Sequence, residues 1–187
     1  RTVVFPLLHG PLGEDGTVQG LLELANIAFV GTGVLGSAVS MDKGVAKQVL
    51  HANGIPQPQY ISLREAHVND ASLKHAIDTL GLPLFVKPAN MGSSVGVSKA
   101  KNAAELKAAA AQALKYDEWI VIEEAISGRE IEVAVLGNID ARASTPGEIV
   151  PGNEFYDYED KYITDGAQLV IPANLSADEI EAVQKLA

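Results

Sequence analysis

The stretch Leu84-Phe-Val-Lys-Pro-Ala-Asn-Met-Gly-Ser-Ser-Val-Gly-Val-Ser98 joins two apolar runs through a short loop of glycines and serines. Runs 84–88 and 95–98 with such a loop between them are typical of two strands of a hairpin, so we predict antiparallel sheet here. Lys87 stands at the end of the first run. The loop can wrap a phosphate, because glycines allow close backbone approach, N–H and hydroxyl groups donate hydrogen bonds, and the lysine adds positive charge. The alternative is an ordinary hairpin turn with an exposed lysine.

The segments on either side of this loop alternate helical and strand patterns. We predict helices at 19–24, 40–54, 72–80, 102–116 and from Ser176 onward, and strands at 1–8, 28–30, 60–61, 119–123 and 130–136. The strand, helix, strand order at the start predicts the end of a small α/β domain with a parallel sheet. The hairpin-joined strands after residue 32 predict an α+β region instead.

Composition excludes several classes of protein. The 187 residues are 47% hydrophobic and 20% charged, which is typical of a globular chain. A formal net charge of −10 disfavours binding to nucleic acid or to an anionic membrane surface. The absence of cysteine rules out disulfides, thiolate metal sites and a cysteine nucleophile. No apolar stretch reaches the roughly 20 residues of a membrane span, and we predict a cytoplasmic protein.

The sequence patterns at both ends predict that the polypeptide continues before Arg1 and after Ala187. An apolar strand pattern is already under way at Arg1, and a capping box at Ser176-Ala-Asp-Glu179 opens a helix that reaches Ala187 without a terminator.

Gly31-Thr-Gly-Val-Leu-Gly36 matches the G-x-G-x-x-G fingerprint of dinucleotide-binding proteins, between a short strand and a helix. The acid that such proteins carry about 20 residues later is missing, because His51-Ala-Asn-Gly-Ile-Pro-Gln57 has no carboxylate. A tight turn that leads into a helix is therefore the favoured interpretation. The Walker pattern is absent from the chain, which disfavours a P-loop NTPase.

Three other segments could carry chemistry. His9 and Glu14 share a glycine-rich loop after the first strand. Acidic residues bracket Ser127-Gly128 between two predicted strands, and 154–162 is rich in aromatic residues without a clear period. Loops of this kind often line or cover ligand sites, whereas the alternatives are solvated surface residues and a small aromatic cluster.

Taken together, five motifs occur in the order and approximate spacing of D-alanine:D-alanine ligases of the ATP-grasp superfamily. They are His9-Gly-Pro-Leu-Gly-Glu-Asp-Gly-Thr17, Ser40-Met-Asp-Lys43, Lys87-Pro with Gly92-Ser-Ser-Val-Gly96, Ile122-Glu-Glu124 with Ser127-Gly-Arg-Glu130, and Phe155-Tyr-Asp-Tyr-Glu-Asp-Lys-Tyr162. The first and last are distinctive of the ligases. The chain resembles this family along its whole length, and the resemblance implies an ATP-grasp fold. It also implies three segments: 1–31 as the end of an N-terminal substrate-side domain, 32–123 as the central ATP-grasp subdomain, and 124–187 as the start of the C-terminal ATP-grasp subdomain.

The resemblance also implies roles for individual residues. The residues implied to bind ATP are Lys43, Lys87, Glu123, Glu124, Ile126, Glu130, Phe155, Tyr156 and Lys161. Those implied to bind the substrate are His9, Glu14, Ser93 and Tyr162, and those implied to be catalytic are Ser93, Lys161 and Tyr162. Lys43 and Lys87 would contact phosphates, Glu123 would lie at the adenine edge, and Glu130 would bind the ribose. Glu124 and Ile126 would contact the adenine partly through their backbones. Position 124 is a lysine in some relatives, so only the backbone contact of Glu124 is expected here.

The implied reaction starts with attack of one D-alanine carboxylate on the γ-phosphate of ATP. The second D-alanine amine then attacks the acyl phosphate. ATP and Mg²⁺ (or Mn²⁺) are the implied cofactors, the metal ligands are expected beyond Ala187, and a homodimer is expected. The product would serve peptidoglycan precursor synthesis, and Tyr162 favours the dipeptide over D-alanyl-D-lactate. The alternatives are another ATP-grasp carboxylate-amine ligase, a D-alanine:D-lactate ligase, and an NAD-binding module built on 31–36.

Overall fold

The computed structural model describes residues 2–152 and 166–187. The chain divides into two compact units, one ending at Ile126 and the other beginning at Ser127. Among the described residues, no helix is both long and apolar enough to cross a membrane.

The first unit opens with a small parallel sheet. Strand β1 (Val3–Val4) pairs in parallel with β2 (Ala28–Phe29), and helix α1 (Thr17–Leu24) connects them. The carboxylate of Asp15 accepts hydrogen bonds from the N–H groups of Leu12 and Thr17, which shapes the turn before the helix. The predicted strand, helix, strand order and the parallel sheet are confirmed.

Two helices follow where the sequence analysis predicted one helix from Ser40. Helix α2 (Val34–Met41) ends at Asp42, and α3 (Lys43–Ala52) begins there. The prediction was wrong because Asp42 adopts an extended backbone (φ −78°, ψ 104°) and its side chain accepts a hydrogen bond from the N–H of Val45 at 2.9 Å. An aspartate in this conformation caps a new helix and cannot continue the old one.

The fingerprint glycines form the turn that leads into α2. Gly31 has φ +120°, and Gly33 is the N-cap of the helix. A Cβ added at Gly36 would lie 2.3 Å from Cγ2 of Thr32, so close packing within this turn accounts for that glycine. The predicted tight turn that leads into a helix is therefore present.

A four-stranded antiparallel sheet in the order β3-β6-β4-β5 forms the centre of the first unit. Its strands are β3 (Tyr60–Arg64), β4 (Leu84–Pro88), β5 (Ser98–Ala100) and β6 (Trp119–Glu124). A short 3₁₀ turn (Glu65–His67) follows β3, and helices α4 (Asp70–Leu80) and α5 (Ala103–Ala113) pack on one face of the sheet. The buried core between them consists of Leu73, Ala76, Leu84, Val86, Ala100, Leu106, Ala109, Ala110, Ala113, Ile120 and Ile122.

The predicted hairpin of β4 and β5 is confirmed, with Val86 opposite Ser98. Its second strand begins at Ser98, later than predicted. Ser93, Ser94 and Gly96 have φ values of 53°, 60° and 71°, which are incompatible with a strand.

The second unit contains a three-stranded antiparallel sheet in the order β11-β10-β7 and a separate two-stranded sheet. The strands are β7 (Glu130–Glu132), β8 (Val135–Leu136), β9 (Arg142–Ala143), β10 (Gly147–Val150) and β11 (Gln168–Val170). The predicted single strand 130–136 is thus two strands, β7 and β8, in different sheets. Helix α6 (Ala177–Leu186) begins with the predicted capping box of Ser176 and Glu179, in which both reciprocal hydrogen bonds are present.

Candidate active site

The candidate site is built on the face of the central sheet that α4 and α5 do not cover. Side chains alternate along a strand, so Lys87 in β4 and Glu123 in β6 point away from their neighbours Val86 and Ile122, which are fully buried in the core. Glu123 is itself only 5% exposed. A carboxylate with so little access to water needs compensating cations.

Two lysines supply that compensation. One oxygen of Glu123 is paired with Nζ of Lys87, and the other lies 2.9 Å from Nζ of Lys47. Burial by itself raises the pKa of the Glu123 carboxyl, but the charge of Lys87 and the hydrogen bonds from both lysines outweigh burial, so the pKa lies below its ordinary value. Glu123 is therefore held ionised between two ammonium groups.

The sequence analysis missed Lys47. The signal that could have found it is its spacing from Lys43, because residues four apart share one face of a helix and both belong to α3. Lys47 also lies over the ring of Tyr60, with Nζ 5.1 Å from the ring centroid.

Lys43 lies beneath the start of the glycine-serine loop, which comprises residues 89–97. Its Nζ donates to the carbonyl oxygen of Met91 at 2.6 Å and to that of Ala89 at 3.3 Å, and its backbone N–H also donates to Ala89 at 3.0 Å. Burial and the nearby charge of Lys87 lower the pKa of Lys43. Two structural elements thus bring three lysines to one place: α3 carries Lys43 and Lys47, and the end of β4 carries Lys87.

The base of the glycine-serine loop is fixed by Asp117, a second residue that the sequence analysis missed. Oδ2 of Asp117 accepts from the backbone N–H of Asn90 at 2.7 Å and from Nδ2 of Asn90 at 2.9 Å. Oδ1 accepts from the N–H of Trp119 at 3.0 Å. One carboxylate therefore ties the loop to the start of β6.

The conformation of the glycine-serine loop explains why residue 96 is a glycine, and it is unusual at Ser93 and Ser94. A Cβ at Gly96 would lie 2.7 Å from Cδ2 of Tyr116 and 2.8 Å from Cγ of Pro88, so no larger residue fits. Ser93 and Ser94 both adopt left-handed backbone conformations. Successive residues with such dihedrals are uncommon outside glycine and are often found at functional sites.

The loop that carries His9 and Glu14 lies against the tip of the glycine-serine loop. A Cβ at Gly92 would lie 3.6 Å from Cα of Gly10 and 3.7 Å from Oε2 of Glu14. The Glu14 carboxylate accepts a hydrogen bond from the N–H of Gly10, and His9 is exposed in the same loop. The structure therefore brings Glu14 close to the residue that precedes Ser93.

The other predicted site residues belong partly to the first unit and partly to the second. Oε1 of Glu124 accepts from the N–H of Gln59 at 2.9 Å, so that side chain is occupied within the sheet. Ile126 is 63% exposed at the end of the first unit, and Glu130 begins β7 in the second. Four predicted residues lie outside the described ranges: Phe155, Tyr156, Lys161 and Tyr162.

No group of three histidine, cysteine, aspartate or glutamate side chains able to hold a metal ion occurs within residues 2–152 and 166–187. Lys43, Lys47 and Lys87 bring positive charge to the described part of the site. They suit a ligand with several negative charges in one place.

Two protein-family models match successive parts of the chain. The model described as D-ala D-ala ligase N-terminus matches residues 1–32, and the one described as D-ala D-ala ligase C-terminus matches residues 49–187.

Curated relatives include the D-alanine–D-alanine ligase A of Chromobacterium violaceum, 52% identical over 99% of this chain and 51% of the relative. The D-alanine–D-alanine ligase of Geobacillus thermodenitrificans is also 52% identical, over 99% of this chain and 52% of the relative. The chain spans about half the length of these relatives.

Solved structures show the same likeness. The D-alanine-D-alanine ligase from Coxiella burnetii has a TM-score of 0.85 and 38% identity, covering 98% of this chain and 48% of that one. The VanG D-Ala:D-Ser ligase from Enterococcus faecalis has a TM-score of 0.88 and 37% identity, covering 98% of this chain and 53% of that one.

Proposed function

Because this chain belongs to the D-alanine–D-alanine ligase family, we propose that the protein joins two D-alanines into D-alanyl-D-alanine, with ATP as the energy source and D-alanyl phosphate as the intermediate. The product would serve peptidoglycan precursor synthesis. The observation that carries the proposal is the meeting of the Glu14 loop with the glycine-serine loop, above the half-buried Lys43.

The lysines suit the nucleotide. Lys43 and Lys87 are proposed to contact its phosphates, because ammonium groups at the edge of a glycine-rich loop offset phosphate charge. Glu123 is proposed to lie at the adenine edge and Glu130 at the ribose. Glu124 is proposed to contribute its backbone, which agrees with the hydrogen bond that occupies its side chain.

The loop that carries His9 and Glu14 is proposed to bind the substrate. Glu14 and His9 are proposed to face the first D-alanine together with Ser93, since a hydroxyl and a backbone N–H are both able to donate to a carboxylate. Phe155, Tyr156, Lys161 and Tyr162 complete the proposal, with Lys161 near the transferred phosphate and Tyr162 near the substrate.

The chemistry proposed for these residues is positioning and charge neutralisation. No side chain needs to form a covalent intermediate, since the D-alanine carboxylate is the nucleophile in the first step and the second D-alanine amine in the next. Holding the reacting groups in line and offsetting the charge of the phosphates are large sources of rate enhancement. Mg²⁺ or Mn²⁺ is proposed as the accompanying cation and would neutralise further phosphate charge.

The test is phosphate release from ATP by the complete polypeptide with Mg²⁺, with D-alanine, L-alanine or D-lactate as the added substrate. Stimulation by D-alanine and not by L-alanine supports the ligase proposal and its stereochemistry. Turnover that is indifferent to D-alanine would instead favour another ATP-grasp ligase.

A second candidate differs in the amino acid that attacks the acyl phosphate. The likeness to the VanG D-Ala:D-Ser ligase, with a TM-score of 0.88, favours including D-serine as an acceptor. Mass analysis of products formed with D-alanine plus D-serine or D-lactate separates the candidates. We expect D-alanyl-D-alanine to dominate at neutral pH, and a dominant ester would contradict the role assigned to Tyr162.

Two further parts of the proposal rest on family membership alone: location in the cytoplasm and assembly as a homodimer. Sedimentation of the complete polypeptide tests the dimer.

A further inference from the structure

Lys47 has no assigned part in the proposed reaction, yet it is one of the most constrained charged side chains in the first unit. Its side chain is 12% exposed, and its Nζ lies 2.9 Å from Oε2 of Glu123 and 5.1 Å from the centroid of the Tyr60 ring. Its backbone carbonyl accepts a hydrogen bond from Nε2 of Gln57 at 2.7 Å. Tyr60 is also the cross-strand partner of Glu123. Contacts with Glu123, Tyr60 and Gln57 therefore hold Lys47 in place.

The two lysines on Glu123 are not equivalent. The side chain of Lys87 is 26% exposed, about twice the exposed fraction of Lys47, and it stands at the end of β4 next to the glycine-serine loop. Lys47 extends from the second turn of α3 onto the face of the sheet that α3 covers. If one ammonium group leaves Glu123 for an incoming anion, the more exposed Lys87 is the one placed to do so.

Departure of Lys87 has a large electrostatic cost unless a second cation stays behind. A carboxylate that is 5% exposed and lacks a partner is strongly destabilised. Without Lys47, Lys87 would remain paired with Glu123, because leaving would strand a buried charge. With Lys47 in place, Glu123 stays neutralised and Lys87 can exchange one anion for another.

We propose that Lys47 is a positioning residue for nucleotide binding: it stays on Glu123 and thereby allows Lys87 to move its ammonium group from that carboxylate to a phosphate of the nucleotide. This inference rests on the proposed function, since it takes ATP as the ligand. It assigns to Lys47 an effect on the phosphate end of ATP through Glu123, without contact between Lys47 and the phosphates.

The test compares ATP with adenosine, which has no phosphates, as ligands of the complete polypeptide. Titration calorimetry gives the dissociation constant for ATP, and ligand-detected NMR gives the weaker one for adenosine. In Lys47→Met we expect ATP affinity to fall by about 10- to 100-fold, as for loss of one member of a buried ion pair, with adenosine affinity changed by less than about threefold. Lys47→Arg, which keeps the charge, should recover most of the affinity for ATP.

A double variant gives the sharper result. In Lys47→Met with Glu123→Gln, no buried carboxylate holds Lys87, so the ratio of ATP affinity to adenosine affinity should return toward that of the unsubstituted protein. The ratio cancels any effect of Glu123→Gln on the adenine. This variant also covers the case in which Lys47→Met fails to fold, because it removes the buried carboxylate that the single substitution leaves with one cation fewer.

Three outcomes overturn the inference: an equal loss for ATP and adenosine in Lys47→Met, no loss for either ligand, or no recovery of the ratio in the double variant. Lys74→Met is the matched control, because Lys74 forms an exposed pair with Asp78 on α4 and should leave both affinities unchanged. If the unsubstituted protein binds no ATP, the proposed function fails and this inference fails with it. If it binds ATP and only the Lys47 effects are missing, the inference alone fails.

Discussion

The two faces of the central sheet are made by alternate residues of the same strands, and their chemistry is opposite. Val86 and Ile122 lie fully buried against α4 and α5. The next residue of each strand, Lys87 and Glu123, belongs to the lysine cluster beneath α3, which consists of Lys43, Lys47, Lys87 and Glu123. A shift of one residue along a strand moves a side chain from one face to the other. Neighbours in sequence can therefore have unrelated functions, one in folding and one in ligand binding.

The two faces should respond differently to substitution. On the apolar face, removing atoms leaves a cavity and lowers the free energy of unfolding. On the charged face, removing Lys87 should change binding and turnover far more than stability, because Lys47 still neutralises Glu123. The four predictions that follow test this separation, in order of decreasing expected effect.

Lys87→Met should have the largest effect, and only on function. Loss of a cation that neutralises developing phosphate charge should lower kcat/KM for ATP by about 10²- to 10³-fold. The melting temperature should change little, since Lys47 still compensates Glu123. D-alanine-dependent phosphate release measures the first quantity and calorimetric melting the second.

The control for this variant is Lys107→Met, which removes an exposed lysine from α5 on the apolar side of the sheet. It should leave kcat/KM unchanged. If the two variants lose activity to the same extent, the cluster has no special role and the comparison of faces fails.

Ile122→Ala should lower the free energy of unfolding by about 3 kcal/mol, because Ile122 is fully buried between the sheet and the helices. Urea unfolding monitored by circular dichroism gives the value. The matched change Ile126→Ala, at a position that is 63% exposed, should cost less than about 0.5 kcal/mol. Equal costs at the two positions would contradict the assignment of the core to this face.

Asp117→Ala should loosen the base of the glycine-serine loop. It removes the acceptor of three hydrogen bonds, two from Asn90 and one from Trp119, and should destabilise the protein by about 1–2 kcal/mol. Because this loop carries Ser93, we expect KM for D-alanine to rise more than kcat falls. Steady-state kinetics separates the two, and an unchanged KM would show that the anchor does not reach the substrate side.

The smallest effect concerns pH. Although burial opposes ionisation, Lys87 and Lys47 hold the pKa of Glu123 in the folded protein below its ordinary value. Its contribution to stability is therefore fully present above that ordinary value and is lost as the pH falls through the folded pKa. Glu123→Gln lacks this titration, so the difference in stability between the two proteins should shrink on acidification. A difference that grows below the ordinary pKa would reverse the sign of the coupling.

Much of the fold could be predicted from local patterns. The β4 strand and the capping box at Ser176 depend on interactions within a few residues, and the hairpin and the opening parallel unit follow from the order of such local patterns along the chain. All are present. Family membership was likewise carried by short motifs and is borne out by the family models. The helix predicted from Ser40 was wrong because a local cap at Asp42 overrode an apolar periodicity.

The candidate site was only partly predictable. Lys43, Lys87 and Glu123 could be singled out because they stand beside recognisable motifs. Lys47 and Asp117 stand in no motif, and their importance follows from partners far away in sequence, Glu123 for the first and Asn90 for the second.

By itself, the sequence determined most of the helices and strands of the first unit, the family to which the chain belongs, and the presence of a lysine before a glycine-serine loop. Periodicity, capping and turn chemistry act over a few residues and can be read directly. Only the tertiary structure decided that α3 covers the charged face of the sheet, that Lys47 and Lys87 share Glu123, and that the Glu14 loop meets the glycine-serine loop. Those contacts depend on how the whole core packs, and no local pattern specifies that arrangement.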